Sequence, residues 1–125
     1  MNALERIHAS LVAGGLVVDT QPISRRPAVE TSGRRIGSLD MRDWWKIIEA
    51  VDERVAVTVR DGLWVDDGEH RYVVTDTFES GAELVDTVTD WQGTQVSESL
   101  SRQVRAATGN AYVHQEVRMR VLRAV

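Results

Sequence analysis

From Tyr112 to Leu122 the side chains alternate without interruption, and this run constrains the fold more than any other feature of the chain. Val113, Val117, Met119 and Val121 share one side with Gln115. Tyr112, His114, Glu116, Arg118, Arg120 and Leu122 share the other. Strict alternation is the period of a β-strand, so a long strand with one wetter face is predicted here. Its partners are sought upstream. Leu16–Gln21 begins apolar and stops at Pro22, which predicts a short strand buried on both faces, as in a parallel sheet. Asp66-Asp67-Gly68 lies between Leu63-Trp64-Val65 and His70–Phe78, a strong hairpin signal. Val29-Glu30-Thr31 and Arg35-Ile36 flank Ser32-Gly33 as a small ribbon.

The remaining segments carry helical spacing. Ala3, Leu4, Ile7, Leu11 and Val12 share a face that Gly14 and Gly15 terminate. A long helix is predicted from about Met41 to Arg60, with Asp40 as N-cap and a broad stripe of Met41, Trp44, Trp45, Ile48, Val51, Val55 and Val59. Ser80 and Glu83 form a capping box opening a helix to Trp91. Ser97 opens another, which carries Leu100, Val104 and Ala107. Strands mixed with helices predict a single α/β layer domain over residues 1–125.

Composition removes several functions. There is no cysteine, which excludes disulfides, thiolate metal sites and cysteine nucleophiles. The net charge of −4 argues against nucleic-acid binding by overall attraction. No apolar run nears the roughly 20 residues that span a bilayer, and Glu5, Arg6 and His8 interrupt any signal-peptide core. A cytoplasmic protein that does not engage membranes is expected. Residues 63–98 hold nine acids against Arg71, while residues 23–42 and 99–125 are basic, a pattern suited to internal or intersubunit complementarity.

Residues 3–22 resemble the helix and fifth strand of class I S-adenosylmethionine-dependent methyltransferases. Leu11-Val12-Ala13-Gly14-Gly15-Leu16-Val17-Val18 stands where that family has a helix end, a Gly-Gly pair and a buried strand, with Ala13 replacing the usual proline. The resemblance implies a partial, Rossmann-like layer fold with a mixed sheet and helices packed on it. Arg71–Phe78 would be the sixth strand, Ser80–Trp91 the helix beside it, and Tyr112–Leu122 an antiparallel last strand. It covers only the carboxyl-terminal half of the family fold. The chain has no Gly-x-Gly pattern, so no cofactor-binding residue carries over. S-adenosylmethionine is expected only if another chain complements this one. Half a sheet would leave the Leu16–Gln21 edge unpaired, which a homo-oligomer, a separate amino-terminal-half subunit or a rearranged topology would cover.

Candidate site residues are few. Asp19 lies with Thr20 and Gln21 at a strand end, where α/β sheets place ligands and where the resembled family borders a small-molecule substrate. His114 is a candidate acid or base beside Glu116 and Arg118. Arg25, Arg26, Arg34 and Arg35 are candidates for an anion or partner contact, since guanidinium groups bind carboxylates and phosphates bidentately. Trp44 and Trp45 diverge by about 100° on a helix, so one is expected to meet the core and the other a partner or ligand. His8, His70 and His114 have no metal-ligand spacing, and no metal is expected. The leading expectation is a truncated or split methyltransferase-like domain, not competent alone, acting as a substrate-side or dimerising assembly subunit. A self-contained small α+β binder or isomerase of the ketosteroid-isomerase-like kind, and a protein-interaction module, are the alternatives.

Overall fold

The computed structural model describes residues 3–125. It is an α/β fold built on one long strand, β5 (Ala111–Ala124). β4 (Trp64–Phe78) pairs with β5 along its whole length. The opposite edge of β5 is shared. β1 (Leu16–Pro22) takes residues 117–123 and β2 (Ala28–Thr31) takes residues 111–114. β2 pairs onward with β3 (Arg34–Ser38) through the Ser32-Gly33 turn, where both residues have positive φ. The long alternating strand is thus the hub of a five-stranded sheet.

Every pairing is antiparallel, in place of the mixed sheet expected. The expected hairpin at Asp66-Asp67-Gly68 is also absent. Val65 and Tyr72 both pair with β5, so the chain runs on through a bulge. Gly68 takes a φ of 134°, and its N–H is held by Asp66 Oδ1 at 3.1 Å. The glycine relaxes a bulge rather than a reversal.

Four helices pack on the sheet: α1 (Ala3–Ser10), α2 (Arg42–Arg60), α3 (Gly81–Val88) and α4 (Glu98–Ala106). Asp40 sits one residue before the cap position of α2, Met41, and its carboxylate accepts the Arg42 N–H at 3.0 Å. Ser80 Oγ accepts the Glu83 N–H at 3.1 Å as expected, but the Glu83 carboxylate accepts the N–H of Glu79 rather than of Ser80, so only half of the capping box forms, and α3 ends at Val88, short of Trp91. A Cβ on Gly81 would collide with the Val104 carbonyl, so this glycine permits the close approach of α3 to α4.

The helices cover the sheet diagonally. α3 and α4 bury Val113, Ala111, Phe78 and Val29 on one face, at the amino-terminal half of β5. α1 and α2 bury Leu122, Ala124, Trp64 and Val17 on the other face, at its carboxyl-terminal half. Side chains alternate along β5, so each face has one covered and one uncovered half. None of the described helices is long and apolar enough to cross a membrane.

Candidate functional site

The two uncovered halves differ in chemistry. Register places four rows on the first: Pro22–Val117–Tyr72, Thr20–Met119–His70, Val18–Val121–Gly68 and Leu16–Arg123–Val65. Leu16 and Val18 are 56% and 55% exposed, and Tyr72 and Val65 are 43% and 39% exposed. The expectation of a β1 buried on both faces fails here. Val17, Asp19 and Gln21 turn toward α1 and α2, while Leu16, Val18 and Thr20 face solvent. Arg123, the one cation in these rows, is held at the margin by Asp67 at 3.0 Å.

A slot of about 330 Å³ opens where this face meets the first turn of α2. Pro22, Met41, Trp44 and Trp91 give it apolar walls, and Gln92 and Gln115 supply amides. Trp44 is fixed by its Nε1–H, which donates to the Pro22 carbonyl at 3.0 Å. Gly93 allows this packing, because a Cβ there would lie 2.5 Å from the Trp44 nitrogen. Gln115 is anchored from below, its Nε2 donating to Asp76 Oδ2 at 2.7 Å. Trp45 points elsewhere, with the Arg25 guanidinium 4.6 Å over its ring and its Nε1–H on Glu49. The expected divergence of the two indoles is therefore realised.

The second uncovered half is mostly polar, apart from Val73, which is 69% exposed. His114 Nδ1 lies 2.8 Å from the Thr75 hydroxyl and Nε2 lies 3.3 Å from Glu30 Oε1, with the Tyr112 ring stacked beside the imidazole. The order of hydroxyl, imidazole and carboxylate is that of a proton relay, laid flat across three adjacent strands with Thr75 exposed. A relay needs a walled pocket and oxyanion donors to make a nucleophile, and strand side chains on an open face supply neither. Asp19 is not part of it. It stands opposite Arg120 under α2, bonded to Gln21, six positions along β5 from His114 and so roughly 20 Å away. The two candidate catalytic residues do not form one site.

The four candidate arginines also separate. Arg34 and Arg35 line a cleft of about 610 Å³ beside Gln103 and Ala106, with Arg35 bonded to Ser38. Arg25 is occupied by Trp45, and Arg26 lies near Asp40. They make no single anion clamp.

Sequence spacing gave no sign of a half-buried charge cluster under α2. Asp52 accepts two bonds from Arg118, at 3.0 and 2.7 Å, and one from Arg120 at 2.9 Å. Burial pushes the Asp52 carboxyl up, but the two guanidinium groups outweigh it and hold it below its ordinary range. The hydrogen bond to Asp52 likewise raises the Arg118 guanidinium. Only the helical placement of Asp52 over the wet face of β5 could have revealed this cluster.

The connection after β1 holds no glycine and is stitched to β5, Ile23 donating to the Glu116 carbonyl and Ser24 Oγ accepting the Glu116 N–H. Among the described residues no cluster of three metal-ligating side chains occurs. Compared with protein-family models, curated proteins and solved structures, the chain matches none.

Proposed function

We propose that this protein is an assembly module rather than a self-contained enzyme, and that a polypeptide partner covers the uncovered apolar half of its sheet. The observation that carries this is the exposure of Leu16 and Val18 on an otherwise ordered strand. Contiguous exposed apolar surface with a polar rim marks an interaction site. The adjoining slot offers a pocket for one anchor side chain.

A photo-crosslinking amino acid at position 18, in the host cell, tests this. It should trap one discrete polypeptide, whether another protein or a second copy. The same group at position 73, on the polar half, should trap none. Equal trapping at both positions, or none at position 18, would refute the proposal.

The split-methyltransferase form of the same idea has one observation in its favour. β5 runs antiparallel to both β1 and β4, as the resemblance implies for its last strand. In that form the partner supplies the cofactor-binding half along the free edge of β1. The complex would then bind S-adenosylmethionine and the isolated chain would not.

A further inference from the structure

We infer that the occupant of the uncovered apolar face is a second copy of this chain, packed sheet on sheet with its strands reversed, so that Leu16 of each protomer enters the slot beside Trp44 and Trp91 of the other. This rests on the assembly proposal above and commits it to one occupant.

The shape of the molecule selects the arrangement. α3 and α4 cover Val113, Ala111 and Phe78 at one end of this face and leave the other end open. A helix is about 10–12 Å across and two sheets pack about 10 Å apart, so a partner sheet laid on the open rows comes level with α3 and α4. A two-fold axis running along the strands would set the helices of one copy against those of the other and hold the open rows apart. A two-fold axis across the strands places the helices of each copy beyond the far end of the other's rows, and the two steps interlock.

Side chains match under that operation. With the axis through the row Thr20–Met119–His70, Val18 comes over the partner's Pro22, Val121 over the partner's Val117, and the Tyr72 ring over the partner's Gly68, which has no side chain to obstruct it. Leu16, two rows from the axis, comes over the row of Gln115 and Val74, where the slot opens. A cavity of about 150 Å³ already holds a benzene-sized group. The slot of about 330 Å³ therefore admits the Leu16 side chain, which is 56% exposed. Arg123 reaches the same row over Gln115, whose amide leads to the Asp76 carboxylate. Among the described residues that carboxylate has no cation within 4 Å, and the partner's guanidinium brings one to its neighbouring row. One face thus holds both halves of each contact, a projecting group at one end and its receptor at the other. An isologous interface requires this, and a foreign partner does not. The four rows and the slot walls supply seventeen residues before any rim, against about 20–30 a side in a standard interface.

The chain has no cysteine, so single cysteines report the register without background. Sedimentation equilibrium of the full chain should show a dimer, and Leu16→Asp should raise its dissociation constant at least about tenfold. Val73→Asp, on the opposite face, should not. Under mild oxidation the Thr20→Cys variant, on the axis, should crosslink to its own copy. Leu16→Cys should not, because its two copies lie four rows, roughly 27 Å, apart. Mixed with the Gln92→Cys variant, at the slot wall, it should crosslink to that chain. A chain that stays monomeric at millimolar concentration, or Leu16→Cys that crosslinks to itself and not to Gln92→Cys, overturns the inference. Failure of the broader assembly proposal looks different. If the chain is monomeric yet position 18 traps a discrete polypeptide in cells, the occupant is another protein, and only the second copy is refuted. If a dimer persists unchanged in Leu16→Asp and position 18 traps nothing, both fall.

Discussion

Replacing Asp52 by asparagine should remove about 3 kcal/mol of folding stability. The carboxylate accepts three charge-assisted bonds, two from Arg118 and one from Arg120. The Arg118 side chain is only 6% exposed and its Nε has no hydrogen-bond partner. Breaking a buried pair by deleting one member typically costs about 3–5 kcal/mol, because the other charge stays behind without compensation. Asp52 is 31% exposed, and Glu69 lies 3.7 Å from the Arg118 Nε, which places the expected loss at the lower end. For a chain of this length about 3 kcal/mol corresponds to a fall in Tm of roughly 12 °C. Urea unfolding followed by tryptophan fluorescence measures it directly, with an unchanged m-value confirming that the unfolded state is the same. Asp43→Asn, which breaks the exposed pair with Lys46, serves as the control and should cost under about 0.5 kcal/mol. A loss below about 1 kcal/mol for Asp52→Asn would show that the cluster is solvated and does not hold α2 to the sheet.

The same cluster sets a pH dependence. Asp52 titrates lower in the folded chain than its ordinary 3.8, and Asp40, through its hydrogen bonds from Arg42, falls to about 2. The unfolded chain therefore binds these protons first, so the stabilisation is complete above about pH 5 and drains away as pH falls further. Asp52→Asn should flatten that acid limb in a pH series of urea midpoints. Gly81→Ala should cost about 2–3 kcal/mol, because its Cβ meets the Val104 carbonyl; Gly109→Ala, with open space around it, should lose only the strain of its positive φ, about 1 kcal/mol. Calorimetry of the isolated chain with S-adenosylmethionine should give no saturable heat, and saturable binding would refute the split-methyltransferase form of the proposal.

Local signals were legible where they depend on neighbours in sequence. The long strand from its alternation, the Ser80 cap, the Ser32-Gly33 turn and the divergence of Trp44 and Trp45 all follow from spacing. Misread signals were those whose meaning is tertiary. Asp66-Asp67-Gly68 permits a turn or a bulge, and the choice falls to the bulge because β5 offers partners on both sides of it. Leu16-Val17-Val18 looks buried on both faces because an apolar side chain does not announce whether its cover belongs to the same molecule. Asp52 meets Arg118 across sixty-six positions, and Thr75 meets His114 across thirty-nine. No local pattern encodes such separations. For the same reason Asp19 and His114 looked equivalent in sequence and lie at different ends of the sheet.

One consequence of the hub strand concerns the order in which the molecule is made. Three of the four strand pairings require β5, which follows the other strands in chain order, and Leu16 finds Arg123 more than a hundred positions away. A nascent polypeptide that has emerged through α4 can close only the β2–β3 ribbon, while β1 and β4 wait as bare strands with unanswered backbone groups. Such distant closure is slow and leaves sticky edges in view. Truncation before Ala111 should therefore leave β1 and β4 without their strand partner and prevent folding.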